Sequence, residues 1–372
     1  MLNKDSWCIK MSNSLIKRKP ILKFNWSYDY GVIMKGLEYV WKITKDNRYY
    51  DFIKINMDMF VDSKGYIIKY QPEEYNIDHI NNGKILFILY SETKQDKYLK
   101  AIHQLRQQLL RHPRTKEGGF WHKNIYPYQM WLDGIYMGSP FLAEYASVIG
   151  ETELFNDVAH QVIIMYKNAV DKKTGLIYHG YDESRGMKWA NDKTGCSPHF
   201  WGRAMGWYVA AIVDILDFLP ENHSKRNELV DILNNTIDAL VKVQEPKTGL
   251  WYQVLDQGNR KGNYLETSAS SMFCYAIFKG CRKGYLDFSI KQTGEKAFLS
   301  LVSKHIYKGD DGLYNLINTC QVSGLGNNPY RDGSYKYYIS EPLRENDRKG
   351  IGAFIQAAAE FEYENELSLI MS

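Results

Sequence analysis

Clusters of polar and aromatic residues alternate with apolar runs along the chain, and the alternation repeats six times. The clusters open at Tyr28-Asp-Tyr-Gly31, Ile77-Asp-His-Ile-Asn-Asn-Gly83, Trp131-Leu-Asp-Gly134, Trp201-Gly-Arg-Ala-Met-Gly206, Glu266-Thr-Ser-Ala-Ser270 and Arg348-Lys-Gly-Ile-Gly352. Their spacing, roughly 50 to 80 residues, leaves room for a helical hairpin and a loop of variable length. Val32 to Trp41 is apolar nearly all round, as a helix buried on both sides would be, and the stretch from Arg48 to Phe60 is amphipathic. The same design recurs at Ile85–Tyr90 followed by Thr93–Tyr98, at Phe141–Ala146 followed by Gly150–Phe155, and at Trp207–Phe218 followed by Lys225–Val243.

A second repeat lies in the connecting segments. Gly119-Phe-Trp-His122, Gly175-Leu-Ile-Tyr-His179, Gly249-Leu-Trp-Tyr-Gln253 and Gly312-Leu-Tyr-Asn315 each join a glycine to an apolar-aromatic pair and a polar tip. They predict short β-hairpin arms returning the chain to one rim. Six hairpins, each with a buried inner and an amphipathic outer helix, predict an all-α fold closed as an (α/α)6 barrel. An open α-solenoid is the competing layout, but its repeats would be nearly constant in length. The expected organisation is an N-terminal extension over residues 1–20 and a single barrel domain over 21–372.

Composition narrows the function. The net charge of +4 across 372 residues gives no strong pull toward nucleic acid or a membrane. The basic stretch Lys17-Arg18-Lys19 is short and reads as a solvated terminus. No run of about 18 apolar residues predicts a membrane span, and residues 1–20 lack the apolar centre of a secretory signal. Five cysteines without a C-x-x-C pair fit reduced thiols, and with them a cytoplasmic location. No H-E-x-x-H, P-loop, G-x-S-x-G or dinucleotide fingerprint occurs, so neither a metal nor a cofactor is expected. Aromatic residues make up 14% of the chain, with 29 tyrosines and 9 tryptophans, several of them near the polar clusters. Such a wall suits the stacking of a sugar ring.

Asp133 stands among Trp131, Tyr128, Tyr136 and Met137. An apolar setting disfavours the charged carboxylate and suits a proton donor, while a helix N-cap is the alternative reading of the same residue. Asp78, before the second apolar run, carries the same two readings. His122 and His179 occupy matching places in two arms. Arg203 sits between Trp201 and Trp207, where a guanidinium serves either carboxylate recognition or a structural ion pair. Tyr28 opens the first repeat. Gathered at one mouth, these residues point to acid/base work by carboxylates on a sugar.

The arm Gly118-Gly-Phe-Trp-His-Lys123 with Tyr126-Pro-Tyr-Gln-Met-Trp-Leu-Asp-Gly134, the segment Thr194-Gly-Cys-Ser-Pro198 with Phe200-Trp-Gly-Arg-Ala-Met-Gly-Trp-Tyr208, and Thr248-Gly-Leu-Trp-Tyr-Gln253 resemble the unsaturated rhamnogalacturonyl hydrolases of glycoside hydrolase family 105. Family 88, the unsaturated glucuronyl hydrolases, shares the barrel and the paired aspartates. The resemblance runs from about Trp26 to about Phe361. It implies a small-molecule substrate, an oligosaccharide ending in the 4,5-unsaturated uronic acid left by a pectin lyase. It implies Asp133 as general acid/base, Asp78 as its partner carboxylate, and His122, His179, Lys123 and the Trp201–Arg203–Trp207 cluster as sugar-binding groups. The segment Ile317–Tyr338 is individual to this chain and is expected to line the pocket. An unsaturated glucuronyl hydrolase and a non-catalytic carbohydrate-binding protein are the alternatives. The sequence is silent on oligomeric state.

Overall fold

The computed structural model describes residues 5–23 and 25–370. Its helices are, in chain order, α1 (Trp7–Arg18), α2 (Tyr28–Thr44), α3 (Asn47–Asp58), α4 (Gly83–Thr93), α5 (Asp96–Arg111), α6 (Leu132–Ile149), α7 (Leu154–Ala169), α8 (Gly202–Ile215), α9 (Arg226–Lys242), α10 (Thr267–Arg282), α11 (Lys291–His305), α12 (Tyr335–Ser340), α13 (Arg348–Glu362) and α14 (Glu364–Ile370). Helices α2, α4, α6, α8, α10 and α13 form the inner ring, each packing on the next, and α13 closes it against α2. This is the (α/α)6 barrel expected from the repeat.

Burial follows the sequence pattern. Every residue of α8 is buried, whereas outer helix α5 buries only one stripe, Tyr98, Ala101, Ile102, Leu105, Gln108 and Leu109. That spacing is the apolar face of an amphipathic helix. Helices α2, α4 and α6 end in left-handed residues, Lys45, Lys94 and Gly150, which turn the chain tightly into the outer helix. Asp46 caps α3 by accepting the Arg48 amide. Where α13 crosses α2, a Cβ on Gly352 would stand 2.6 Å from the Val32 backbone, so only glycine allows this approach.

Residues 1–20, expected as an extension, contain α1, which packs on α13, α2 and α3 and buries Cys8, Met11 and Leu15. Glu362, the last residue of α13, accepts the Trp7 and Cys8 amides at 2.6 and 3.0 Å. Helix α1 is therefore the outer partner of α13, and the sixth hairpin is completed by the start of the chain. The basic stretch at its end is mixed: Lys17 and Lys19 are exposed and Arg18 is half-buried.

The four arms form as expected. Bridges join Arg114 to Phe120, Val170 to Ile177 and Tyr252 to Leu265, while strands β3 (Ile306–Lys308) and β4 (Tyr314–Leu316) make the fourth. Ahead of these, β1 (Gln129–Trp131) pairs antiparallel with β2 (Gly180–Asp182), with Trp131 opposite Gly180. Further along, β5 (Thr319–Cys320) pairs with β6 (Leu343–Arg344). Among the described residues no helix is long and apolar enough to cross a membrane, and all five cysteines are buried free thiols.

Candidate active site

The arms and the N-termini of the inner helices meet at one mouth. The His122 amide donates to the Gln129 carbonyl at 2.7 Å, and the Leu132 amide donates to the His179 carbonyl at 3.1 Å. Pairing of β1 with β2 then sets both histidines on either side of Trp131 and places Asp133 in the first turn of α6. The His122 ring stacks on Trp131 at 4.3 Å and 15°, and Tyr126 stacks on the same indole at 4.8 Å. His179 meets Trp131 edge-on at 5.4 Å and lies 4.7 Å from Trp201. The Trp131 and Trp201 indole N–H groups donate to Gln129 and Gln253, which locks both rings.

Asp78 is not the cap of its turn. Asn76 is, accepting the Asp78 amide at 3.1 Å, which leaves the Asp78 carboxylate free for the mouth. One of its oxygens pairs with Lys123 Nζ at 2.7 Å and the other lies 3.6 Å from His122 Nε2. Burial opposes ionisation of Asp78, but Lys123 and then His122 outweigh it and hold the carboxyl below its ordinary range. Lys123 in turn is held up, with Asp78 overcoming the effect of its own burial. His122 is pushed down to about 4, chiefly by burial, so its ring is neutral at physiological pH.

Asp133 Oδ2 lies 3.2 Å from His179 Nε2, yet the two are not aligned as a hydrogen bond, and neither atom has another partner. His122 Nδ1 and Arg203 Nε are likewise buried without a partner. Buried polar atoms are ordinarily satisfied, so four orphans around one mouth mark a place shaped for a ligand or water. On its far side His179 Nδ1 is hydrogen-bonded to the Tyr338 hydroxyl at 2.8 Å.

Arg203 is buried, with its guanidinium 4.9 Å from the Trp201 ring. Its Nη1 donates to the Ser268 hydroxyl at 3.3 Å and to the Cys320 carbonyl. Among the described residues it has no carboxylate within ion-pair distance, so the structural ion pair considered from the sequence is absent. The nearby Glu266 caps α10 and also accepts the Cys320 amide, stiffening the acceptors that hold Arg203. Tyr28 faces the same mouth: burial pushes its hydroxyl pKa up, Arg203 opposes this, and Asp78 and Asp133 reinforce it. Trp207 lies elsewhere. One helical turn below Arg203, it packs on Tyr136 at 4.5 Å in the layer beneath the mouth.

The segment Ile317–Tyr338 reaches the mouth through Tyr338 and through Leu325, which packs with Tyr126, Trp131 and Trp189. Tyr338, Gln129 and Glu266 escape sequence reasoning as site residues, because their partners are set by tertiary packing. Gln253 was visible only as an arm's polar tip. Among the described residues no three His, Cys, Asp or Glu side chains converge as a metal site requires.

A helical toroid that presents carboxylates, histidines and stacked indoles at one mouth belongs to the class of barrel glycosidases. The sequence profile of Glycosyl Hydrolase Family 88 matches residues 6–364, and the chain belongs to that family. It is similar to a family 105 glycoside hydrolase from C. acetobutylicum ATCC 824, with 52% identity, a TM-score of 0.95, and coverage of 96% of this chain and 99% of that one. It is 26% identical over 269 residues to the unsaturated rhamnogalacturonyl hydrolase YesR of Bacillus subtilis (strain 168), covering 71% of this chain and 73% of that one. The unsaturated glucuronyl hydrolase of Bacillus sp. GL1 shares the fold, with a TM-score of 0.70 at 12% identity. The protein is a glycosidase of the family 88 and family 105 type.

Proposed function

We infer that the protein releases a 4,5-unsaturated galacturonic acid from the non-reducing end of lyase-generated rhamnogalacturonan oligosaccharides. The observation that carries this reading is the orphaned Asp133–His179 contact, 3.2 Å long, set between two locked indoles. The similarity to YesR favours a rhamnose-linked substrate.

The substrate ring is a vinyl ether. Asp133 gives its proton to C4, the C4=C5 electron pair forms the new C–H bond, and the cation left at C5 is shared with the ring oxygen. Water adds at C5 and returns a proton to the Asp133 carboxylate, which restores the acid. The hemiketal opens by cleavage of its bond to the ring oxygen, and C1, now a hemiacetal, expels the aglycone. Ordinary glycosidases protonate the glycosidic oxygen instead. Asp78 enters this scheme as an ionised anchor for sugar hydroxyls or the attacking water. Its charge is countered by Lys123 at 2.7 Å. His122, being neutral, contributes hydrogen bonds and stacking. Arg203 lends a fixed positive field to the uronate side.

The test is turnover of unsaturated disaccharides, followed by loss of the ultraviolet absorbance of the conjugated double bond. Faster turnover of the rhamnose-linked compound is expected. Preference for a hexosamine-linked one would reassign the substrate to glycosaminoglycan fragments, and binding without turnover would overturn the catalytic reading.

A further inference from the structure

Beside the mouth, a groove of about 640 Å³ runs between the end of α1, the start of α2 and the turn leading into α13. Asp29, which lines it, follows Tyr28, and Gln321 follows Cys320, the acceptor of Arg203. Asp347, also in the groove, raises the Arg203 pKa, although burial is the largest influence there and opposes it. The groove therefore adjoins the segment that holds Arg203.

Its charges are unbalanced. Of its three carboxylates, Asp29 is taken by Arg348 at 2.7 Å and Asp347 by Lys349 at 2.8 Å, while Glu345 accepts the Tyr307 hydroxyl at 2.8 Å and, among the described residues, pairs with no cation. Among the described residues, Arg18, Lys19, Lys23 and Arg344 have no carboxylate within ion-pair distance. Two of these cations are held in place. Arg18 Nη2 donates to the Tyr314 carbonyl at 3.2 Å and to Asn315 Oδ1 at 2.8 Å. Arg344 Nε donates to Gln321 Oε1 at 2.8 Å, which leaves the rest of its guanidinium to the groove. A fixed guanidinium suits a carboxylate, and flexible lysines beside it add charge without fixed geometry.

We propose that this groove is an aglycone subsite that binds the carboxylate of a further uronate in the oligosaccharide beyond the sugar released at the mouth. The inference rests on the function proposed above, since in a chain alternating uronate with rhamnose the second aglycone sugar carries that carboxylate. It also gives Arg18 and Lys19 a use that a solvated terminus would not have.

The triple variant Lys19→Gln, Lys23→Gln, Arg344→Gln removes exposed charge without touching the mouth. Its kcat/KM on an unsaturated tetrasaccharide is expected to fall about tenfold, the scale of a few exposed ion pairs, while turnover of the disaccharide stays unchanged. Added salt should weaken the wild-type tetrasaccharide reaction and barely affect the disaccharide one. Equal responses of the two substrates, or unchanged turnover of a methyl-esterified tetrasaccharide by the wild type, would overturn the subsite. Absence of wild-type turnover on the disaccharide would instead sink the proposed function. Calorimetric binding of a saturated uronate–rhamnose tetrasaccharide to wild type and triple variant reads the groove independently of turnover, and equal affinity would likewise reject it.

Discussion

Both ends of the barrel bury charge, and they do so in opposite ways. At the far end, Glu38 is held by Lys35 at 3.0 Å and Lys42 at 2.7 Å. Lys279 sits between Asp214 and Asp217 at 2.7 and 2.6 Å, and Arg282 meets Glu360 at 2.6 Å. Each of these carboxylates has its cation, as buried ions require if they are not to cost several kcal/mol. At the mouth, Asp133, His179, His122 and Arg203 each keep an orphaned atom. One set of inner helices thus carries a largely ion-paired network at its C-terminal end, with Glu144 left outside it, and a cluster of unpartnered groups at its N-terminal end. Buried charge alone does not mark a site. Incomplete groups gathered beside two locked indoles do.

The largest effect separating the two ends should come from Asp133→Asn. The side chain keeps its size, so the thermal transition should stay in place while kcat falls by roughly 100-fold to 10,000-fold, the range of a general acid/base. Near-wild-type kcat would remove Asp133 from the chemistry. The matching substitution at the far end, Lys279→Met, strands two buried carboxylates and should cost about 3–5 kcal/mol in denaturant unfolding. Activity per folded molecule should be unchanged. A large loss of kcat without loss of stability would show that the far end takes part in the reaction.

How much of this was legible in the chain depends on whether a feature is local. Inner helices such as α8 announce themselves because burial on all sides leaves no polar stripe. The arms are visible through their glycines. Charges at the far end were not legible, because Lys35 and Glu38 lie within a run that reads as apolar nearly all round, and periodicity reports burial without naming partners. The role of α1 was hidden for the same reason: Trp7 and Cys8 meet Glu362 across nearly the whole chain. Asp78 and Asp133 were legible as candidates, yet their alternative reading as caps could be settled only by seeing Asn76 accept the Asp78 amide and Asp133 fall inside the first turn of α6, after Trp131. Trp207 shows the converse, a residue that belongs to the motif in sequence and to the layer below in space.

The pH dependence of stability sharpens the comparison further, because one group at each end carries an opposite sign. Glu144 at the far end has no ion-pair partner among the described residues, and burial pushes its carboxyl up from 4.5 to about 7. Between those values the folded state keeps a proton that the unfolded chain has lost, so raising the pH costs stability. Glu144→Gln cannot ionise. Its advantage over the wild type should be near zero at about pH 4.5 and grow to about 1–2 kcal/mol by pH 7.5, after allowance for partial exposure. At the mouth, His122 is depressed from 6.5 to about 4, so the unfolded chain binds the extra proton and stability falls on acidification through that window. His122→Gln should flatten this loss. Thermal unfolding across pH checks both, and slopes of the same sign would refute the contrast.

The smallest effect tests whether the mouth is held from behind. Tyr338 reaches His179 Nδ1 at 2.8 Å, and its ring also lies along Trp201 at 6.2 Å and 22°. By donating to Nδ1 the hydroxyl would fix the imidazole proton on Nε2, the nitrogen facing Asp133. Tyr338→Phe keeps the packing and removes only that bond, worth about 0.5–1.5 kcal/mol. The expected outcome is a threefold to tenfold lower kcat with KM nearly constant and a shifted pH–rate profile. An unchanged kcat and profile would leave Tyr338 as packing for Trp201 alone. The positioning of His179 would then rest on Trp131 and Trp201, and the mouth would need no support from the segment Ile317–Tyr338.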